Sequence, residues 1–413
     1  MKQNKFLKDS IIMVLASGFS QLLLIGTIPI ISRLYSPSEF GEFTIFSNIA
    51  MVLIPIINAR YDLLIINAKN YKQANILSQI SFGISLLIIC VLIPIGIIYT
   101  IIKPDYFLEL FFLIIMLFFV SLTNIFTNYL NRERKYNTLS LINIFRALFM
   151  VVFQILFGLF NFGSMGLIIG FAFSYTAGIT LGYKVFKKHF YIVKSRSQNL
   201  YLFKKYKNQL MYSTPSILLN SLSFTVVVFF VGILYSNHEV GLYGMAIKIL
   251  GVPVTILSLG LSKIFMQKAN DHYIAYGSFR ELLLKFSLIL IALSTVVYIP
   301  FYFINDELIS KILGVEWIST MQIIKIILPL FFIRLIVSTI SLAVIVFEKQ
   351  HIELMLQACF LIVTLITFII AKSLHFELDS FLKINTFGLV IAYLIFYIAT
   401  FYFAKNNKYL TQG

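Results

Sequence analysis

Long apolar runs separated by short polar loops are the feature of this sequence that most constrains its fold. Twelve runs cover most of the 413 residues, and each is about as long as the twenty residues that an α-helix needs to cross the hydrocarbon layer of a bilayer. Within lipid a helix satisfies its own backbone polar groups, so the runs predict an all-α polytopic membrane protein with about twelve transmembrane helices. The predicted spans are 10–32, 43–66, 76–101, 107–130, 139–160, 164–185, 212–235, 242–265, 282–303, 323–346, 352–372 and 380–404.

The composition excludes a soluble protein of this length. Charged residues make up 12% of the chain, against roughly 25% in soluble domains. The net charge is +16, but the basic residues cluster in short loops between apolar runs, which indicates membrane topology and not a nucleic-acid partner. Cys90 and Cys359 lie inside apolar runs without metal-ligand spacing, and we predict no metal and no cofactor.

Charge in the loops predicts the orientation and the division of the chain. Basic loops alternate with acidic loops, such as the loop that contains Asp105, and an even number of spans with both termini in the cytoplasm gives the cleanest separation. The longest basic loop predicts three parts: an N-terminal six-helix lobe at 1–186, a cytoplasmic linker at 187–211, and a C-terminal six-helix lobe at 212–413. We expect the linker to contact anionic lipid headgroups.

A short motif recurs at an offset of 200 residues. Residues 34–41 read Leu-Tyr-Ser-Pro-Ser-Glu-Phe-Gly, and residues 234–241 read Leu-Tyr-Ser-Asn-His-Glu-Val-Gly. Each copy follows the first helix of a predicted six-helix lobe, and its Ser-Pro or Ser-Asn pair favours a tight turn. The recurrence predicts a parallel internal repeat, an arrangement that is typical of transporters.

These motifs resemble those of a known transporter family. Residues 31–43 are similar to the signature that follows the first helix of the Wzx-type polysaccharide flippases, which belong to the multidrug/oligosaccharidyl-lipid/polysaccharide (MOP) exporter superfamily. The second predicted span ends in Ala59-Arg60-Tyr61-Asp62, similar to the arginine–aromatic–acid ending of this group. Tyr35 departs from the pattern, because a small residue is expected there and we predict a mild change in the turn.

The resemblance implies both an architecture and a substrate. It implies a V-shaped bundle of two six-helix lobes that works by alternating access in the bacterial cytoplasmic (inner) membrane. It also implies that a polyprenyl-diphosphate-linked oligosaccharide moves from the cytoplasmic to the outer leaflet, for O-antigen, other lipopolysaccharide or capsule biosynthesis. The implied partners are this lipid-linked substrate, the membrane lipids and the polysaccharide polymerase machinery.

Several charged residues lie within or at the ends of the predicted spans. A charge at the centre of a span costs about 2.5–3.5 kcal/mol on insertion, so such residues usually face a wet cavity or a partner. We predict that the basic ones line a cationic cavity that binds the substrate diphosphate, since Arg and Lys both bind phosphate oxygens. The candidate binding residues are Arg33, Arg60, Arg146, Lys248 and Arg334.

Other roles remain open for three of the charged residues. Arg60 and Asp62 form a structural pair in the alternative interpretation, although two residues apart on a helix they point to different faces. In the alternative interpretation, Arg33 only reaches the outer headgroups, as long basic side chains do at the ends of spans. Asp62 is the candidate for coupling transport to a proton or a sodium ion, unless it is bound in a salt bridge. Polar residues on the spans, including Asn58, Asn124 and Asn128, either line a sugar path or hydrogen-bond between helices.

Three competing functions fit the sequence less well than the flippase. A multidrug exporter of the same superfamily would favour an acidic cavity, whereas the deep charges here are mostly basic. A sugar–proton symporter of the major facilitator type would carry a longer glycine- and arginine-rich second loop than residues 67–73. A polysaccharide polymerase or ligase would carry a large outer loop with Arg or His, but the largest one here, 304–322, has no His. No nucleophile–base arrangement was found, and we predict that the chain is not an enzyme.

Overall fold

The computed structural model describes residues 2–341 and 350–404, and every regular element within these ranges is a helix. Eleven of the described segments are long and apolar enough to cross a membrane. The prediction of an all-α polytopic membrane fold is therefore confirmed. Residues 342–346 of the tenth predicted span and residues 405–413 at the C-terminus lie outside the described residues.

The chain divides into two compact units, and the first unit comprises Met1–Thr225. Within it, α1 packs on α6, α6 on α7, α5 on α8, and α4 on α5. The predicted linker 187–211 is itself partly helical, because it contains α9, which packs on α4. The helices of this unit are α1 (Lys2–Gly26), α2 (Ile28–Leu34), α3 (Pro37–Leu53), α4 (Tyr71–Ile102), α5 (Phe107–Arg132), α6 (Tyr136–Leu159), α7 (Ser164–Ser174), α8 (Thr176–His189) and α9 (Arg196–Lys205).

The second unit comprises Val226–Gly413, and α10 runs across the boundary. In this unit α14 packs on α11, α12 and α16, while α15 packs on α16. The aliphatic and aromatic side chains of α14, α15 and α16 form one hydrophobic core. The remaining helices are α10 (Thr214–Leu234), α11 (Asn237–Tyr276), α12 (Arg280–Tyr298), α13 (Asp306–Leu313), α14 (Ser319–Ile340), α15 (Gln350–Ser373) and α16 (Leu378–Phe403).

Large apolar side chains cover much of the surface of both units. Ile101 is 75% exposed and Phe303 is 82% exposed, and many other aliphatic and aromatic residues on the long helices are similarly uncovered. Soluble proteins rarely expose contiguous apolar surface of this extent. Lipid is the environment in which these side chains are well solvated, in keeping with a multi-pass membrane protein.

The recurring motif forms the same local structure in both units. Ser36 and Glu39 make a capping box at the start of α3, in which the Ser36 backbone N–H donates to the Glu39 carboxylate over 2.7 Å. Ser236 and Glu239 make the corresponding capping box at the start of α11, with a distance of 3.2 Å. Each box satisfies backbone N–H groups that the first turn of a helix leaves without partners. The Ser-x-x-Glu spacing is therefore a sequence pattern that indicates the start of a helix.

Tyr35, where the sequence predicts a mild change in the turn, has a specific place in the core. Tyr35 is 2% exposed, and its hydroxyl donates to the backbone carbonyl of Gln154 over 2.6 Å. A Cβ atom on Gly166 would lie 2.5 Å from this hydroxyl oxygen, so the glycine leaves the space that the phenol fills. Burial raises the pKa of the Tyr35 phenol, and its hydroxyl therefore stays protonated as a donor.

Pairs of glycines spaced four residues apart allow close helix contacts in the first unit. Gly178 and Gly182 of α8 face Thr123 and Phe126 of α5, and a Cβ on Gly182 would lie 2.7 Å from the Phe126 Cβ. Gly166 and Gly170 give α7 the same kind of approach to α6. Small residues at this spacing bring helix backbones together in membranes, where packing and not water exclusion drives association.

Candidate functional site

The second predicted span, 43–66, is not one continuous helix, which corrects the sequence prediction for Arg60 and Asp62. The helix α3 ends at Leu53, and a short 3₁₀ turn occupies Asp62–Ile65. Pro55 has no N–H to donate, so it weakens the helical hydrogen bonding at this point. Ala59 and Arg60 then adopt left-handed backbone conformations, with φ of 45° and 60°. Such conformations are unfavourable for residues other than glycine and persist where the surroundings support them.

One face of α5 supports this irregular segment. Four polar residues three or four positions apart line that face, as expected for one side of a helix. They are Ser121, Asn124, Asn128 and Arg132. The side-chain amide of Asn58 donates to the Ser121 hydroxyl over 2.8 Å. The side-chain amide of Asn124 donates to the side-chain oxygen of Asn58 over 3.0 Å.

The support continues toward the end of the segment. The Arg132 guanidinium donates to the backbone carbonyl of Ala68. Irregular backbone is tolerated at membrane depth where it is buried in protein and its polar groups find partners. For Asn58 and Asn124, the structure therefore supports the interhelical hydrogen bonding that the sequence left as one of two interpretations.

Arg60 and Asp62 lie in this segment but do not form a direct ion pair. Asp62 is 7% exposed, and its carboxylate accepts a hydrogen bond of 2.9 Å from the Asn128 amide of α5. The Arg60 Nε is buried and has no hydrogen-bond partner within the described residues. The backbone break thus places a buried carboxylate and a guanidinium with free donor capacity two residues apart in one polar cluster.

Arg146 lies at the middle of α6, where it contacts an aromatic side chain. Its guanidinium carbon lies 4.0 Å from the centroid of the Tyr175 ring, and its Nη2 donates to the Tyr175 hydroxyl over 2.9 Å. Within the described residues, that hydroxyl is the one hydrogen-bond acceptor on Arg146. A guanidinium carries five N–H groups, so most of the donor capacity of Arg146 remains unused. Among the residues that the structure describes, no acidic group forms an ion pair with it.

The position of Tyr175 follows from an interruption in the sixth predicted span. The helix α7 ends at Ser174 and α8 begins at Thr176, so Tyr175 lies between the two helices. Its backbone carbonyl accepts a hydrogen bond of 2.9 Å from the Thr123 hydroxyl of α5. The sequence carries no signal for Tyr175 at this site, because 29 residues separate it from Arg146 and no periodic pattern relates residues on different helices.

Lys248 and Arg334 lie on two helices of the second unit that pack against each other, α11 and α14. Both side chains are half-buried. The Arg334 guanidinium carbon lies 5.6 Å from the centroid of the Phe331 ring. An aromatic ring therefore lies beside Arg334, as the Tyr175 ring lies beside Arg146.

Each predicted cationic residue is described by its own local surroundings. Arg33 is exposed, one residue before the end of α2. Arg60 belongs to the cluster on α5, whereas Arg146 belongs to the contact between α6 and Tyr175. Lys248 and Arg334 belong to the second unit. Among the described residues, no group of three His, Cys, Asp or Glu side chains has the arrangement of a metal site.

Solved structures of membrane transporters have the same fold over nearly the whole chain. The lipid II flippase MurJ in an inward closed conformation aligns with a TM-score of 0.70 at 16% identity, covering 94% of this chain and 87% of that chain. An inward-facing multidrug resistance transporter of the MATE family, in the MOP superfamily, aligns with a TM-score of 0.61 at 13% identity, covering 95% and 93%. A mutant of the Vibrio cholerae MATE transporter VcmN aligns with a TM-score of 0.54 at 13% identity, covering 96% and 95%. At these identities the likeness establishes the fold alone.

Sequence comparison supplies the family. No curated protein sequence matches the chain significantly. The family described as "Polysaccharide biosynthesis protein" matches residues 30–322, which is well over half of the 413 residues. The predicted resemblance to the polysaccharide members of the MOP superfamily is thereby confirmed. The chain belongs to this family of polysaccharide biosynthesis proteins and has the MOP membrane-transporter fold.

Proposed function

We propose that this protein is a flippase that moves a polyprenyl-diphosphate-linked oligosaccharide from the cytoplasmic to the outer leaflet of the bacterial inner membrane. The product would serve O-antigen or capsule biosynthesis, and both termini would lie in the cytoplasm. The observation that carries the proposal is Arg146, a cation at the middle of a membrane helix that contacts Tyr175 and, within the described ranges 2–341 and 350–404, no carboxylate. Family membership and the likeness to a lipid II flippase support the same class of substrate.

The chemistry of Arg146 suits a diphosphate. A guanidinium presents paired N–H groups that match two phosphate oxygens, and a hydrogen bond between charged groups is about twice as strong as a neutral one. The Tyr175 ring and hydroxyl hold the guanidinium in one orientation, so less side-chain conformational entropy is lost when the substrate binds. Arg60, whose buried Nε has no hydrogen-bond partner in the described part of the chain, offers a second donor group in the same unit.

The other candidate cations extend the proposal to the remaining helices. Lys248 and Arg334 would provide positive charge in the second unit. A charged side chain within the membrane costs free energy, so such residues usually have a functional role. Arg33, exposed at the end of α2, would contact the substrate or the outer headgroups near the end of the crossing. In this scheme the polyprenyl tail stays in the bilayer while the charged headgroup crosses, and no covalent step is required.

Transport in proteoliposomes tests the proposal. A fluorescent polyprenyl-diphosphate oligosaccharide is incorporated, and its exchange between leaflets is followed by quenching of the outer label. We expect Arg146→Ala to lower the rate at least tenfold, because hydrogen bonds to charged groups contribute about 1.5–3 kcal/mol. Arg196→Ala, which removes an exposed cation from α9, is the matched control and should transport normally. Wild-type rates for a folded Arg146→Ala variant would refute the role of Arg146.

Asp62 is the proposed coupling residue for a proton or a sodium ion. It is buried and accepts a hydrogen bond from Asn128, and no basic side chain forms an ion pair with it in the described part of the chain. Asp62→Asn removes the charge but keeps a side chain that hydrogen-bonds with Asn128. In the same vesicles we expect this variant to lose the response to an imposed proton or sodium gradient. An unchanged response would exclude Asp62 as the coupling residue.

A multidrug exporter is the second candidate, because MATE transporters share the fold over more than nine-tenths of the chain. The same vesicles distinguish the two functions when they are loaded with a fluorescent amphiphilic cation. Export of the cation without movement of the lipid-linked oligosaccharide would favour this candidate. The basic residues within the spans would then have structural roles only.

A further inference from the structure

A cavity of about 480 Å³ opens in the second unit, at one end of three helices. Such a volume falls within the range of ligand pockets, about 300–1,000 Å³. The lining comes from the first residue of α13 and from the first two turns of α14 and α16, and in the proposed orientation these ends face the outer side. The lining residues are Asp306, Gln322, Lys325, Ile326, Asp379 and Lys383.

The charged groups in this cavity form no ion pairs with one another in the described part of the chain. The lining holds two carboxylates and two ammonium groups, and the Gln322 amide donates to the Asp379 carboxylate. Within the described residues, neither Lys325 nor Lys383 forms an ion pair with an acidic side chain. Lysine–glutamate pairs one helical turn apart do form elsewhere in the unit, for example Lys285 with Glu281. Four charged groups therefore line the cavity with free donor and acceptor capacity.

The equal numbers of acidic and basic groups in the lining indicate which class of ligand the cavity binds. A simple anion would be attracted by the lysines but repelled by Asp306 and Asp379, and a simple cation would meet the reverse pattern. A sugar fits better, because each hydroxyl both donates and accepts hydrogen bonds. Carboxylates accept from hydroxyls, ammonium groups donate to them, and the Gln322 amide is able to do both.

We propose that this cavity is a glycan-binding site, which rests on the proposed flippase function and deepens it. The cavity binds sugar residues of the transported oligosaccharide at the outer end of the second unit. It recognises hydroxyl groups and not the diphosphate, which is the part of the substrate assigned to Arg146. Sugar recognition and diphosphate recognition are therefore separate in the chain.

Binding of a soluble glycan tests this site without any transport step. The full-length protein in lipid nanodiscs is mixed with oligosaccharide fragments of one to three repeat units, released by partial hydrolysis of the surface polysaccharide of the producing cells. Saturation-transfer NMR reports contact between the protein and the sugar protons. We expect wild type to bind the fragments, and Asp379→Ala and Lys383→Ala each to weaken binding at least fivefold. Lys372→Ala, which removes an exposed lysine outside the cavity, is the matched control.

Three outcomes would overturn the glycan site. They are no binding of the fragments to wild type, equal binding to Asp379→Ala and Lys383→Ala, and displacement of the fragments by inorganic pyrophosphate, which would indicate an anion site. Lys383 is exposed, so its variant tests the site even if Asp379→Ala fails to fold. The probe has no lipid and no diphosphate. Flipping that persists without glycan binding refutes this site alone, and glycan binding without flipping refutes the proposed function alone.

Discussion

Arg146 illustrates how single residues keep a charge available inside this membrane fold. Its contacts are a ring face and a phenol hydroxyl, and neither neutralises the guanidinium. Asp62 follows the same principle, because its partner is the neutral amide of Asn128. A buried ion pair would have satisfied these groups at the cost of their ability to bind anything else. Neutral partners orient the charged groups and leave them free to bind a ligand.

Variants of Tyr175 separate its two contacts with Arg146. Tyr175→Phe keeps the ring under the guanidinium but removes the hydroxyl, whereas Tyr175→Ala removes both. We expect Tyr175→Phe to lower the rate of flipping several-fold and Tyr175→Ala to lower it further, because a desolvated cation–π contact contributes about 2 kcal/mol. Flipping rates and thermal unfolding in detergent are measured together. Equal flipping rates for both variants would show that the ring does not orient Arg146.

The charged residues within the spans could be found from the sequence, but their partners could not. Arg146, Lys248 and Arg334 stand out because charge is rare in apolar runs. Tyr175 does not stand out among 23 tyrosines, and its contact with Arg146 depends on how α6 and α7 pack. For Arg60 the sequence predicted a helical environment, and the left-handed backbone there is a correction.

At the scale of helices, close approach through glycine brings α8 against α5 in the first unit. A Cβ on Gly178 would overlap the Thr123 side chain, and one on Gly182 would press on Phe126. Thr123 also donates to the Tyr175 carbonyl over 2.9 Å. The contact between α5 and α8 therefore holds the residue that orients Arg146.

Substitution of these glycines tests the helix contact. We expect Gly178→Val and Gly182→Val each to lower the free energy of unfolding by about 1–3 kcal/mol, the usual cost of overpacking. Gly83→Val on α4 is the matched control, because nothing lies within 4 Å of its added Cβ. Thermal unfolding in detergent provides the comparison. The close-packing interpretation is wrong if Gly83→Val is destabilised as much as the α8 variants.

Most helices could be predicted from hydropathy, but the break after Leu53 could not. Pro55 and Pro253 follow the two copies of the repeated motif at similar distances. The first lies where α3 has ended after 17 residues, and the second lies inside the 40-residue helix α11. Proline alone therefore does not decide the outcome. The break occurs where Asn58 and Asp62 meet the amides and hydroxyls of α5, and such partners are a tertiary feature that hydropathy does not contain.

At the scale of the whole molecule, the fold, the family and the predicted orientation rest on different observations. The fold matches transporters of 13–16% identity over most of both chains, so it persists where little of the sequence does. Both units contain the same capping box at the start of a helix, and the parallel repeat stays a prediction. The orientation rests on the basic loops, chiefly the linker that contains α9.

Chemical labelling tests the orientation. In a background with Cys90→Ala and Cys359→Ala, single cysteines are introduced as Asp105→Cys in an acidic loop and Ser197→Cys in the linker. Both positions are exposed. We expect a membrane-impermeant maleimide to label Asp105→Cys in spheroplasts, and to label Ser197→Cys only after lysis. The reverse pattern would invert the predicted topology and move the proposed glycan site to the cytoplasmic side.

The irregular segment after Leu53 also has a consequence for biosynthesis. Asp62 precedes its partner Asn128 by 66 residues, and the other α5 groups that support the segment are similarly distant. A ribosome delivers residues in order, so this stretch enters the membrane before α5 has been made. Unpaired backbone in lipid is costly, and a newly inserted span is most stable as a plain helix. We therefore expect residues 54–66 to enter as part of an ordinary helix and to unwind only when α5 arrives, so that the polar cluster around Asp62 is among the last features of the first unit to mature.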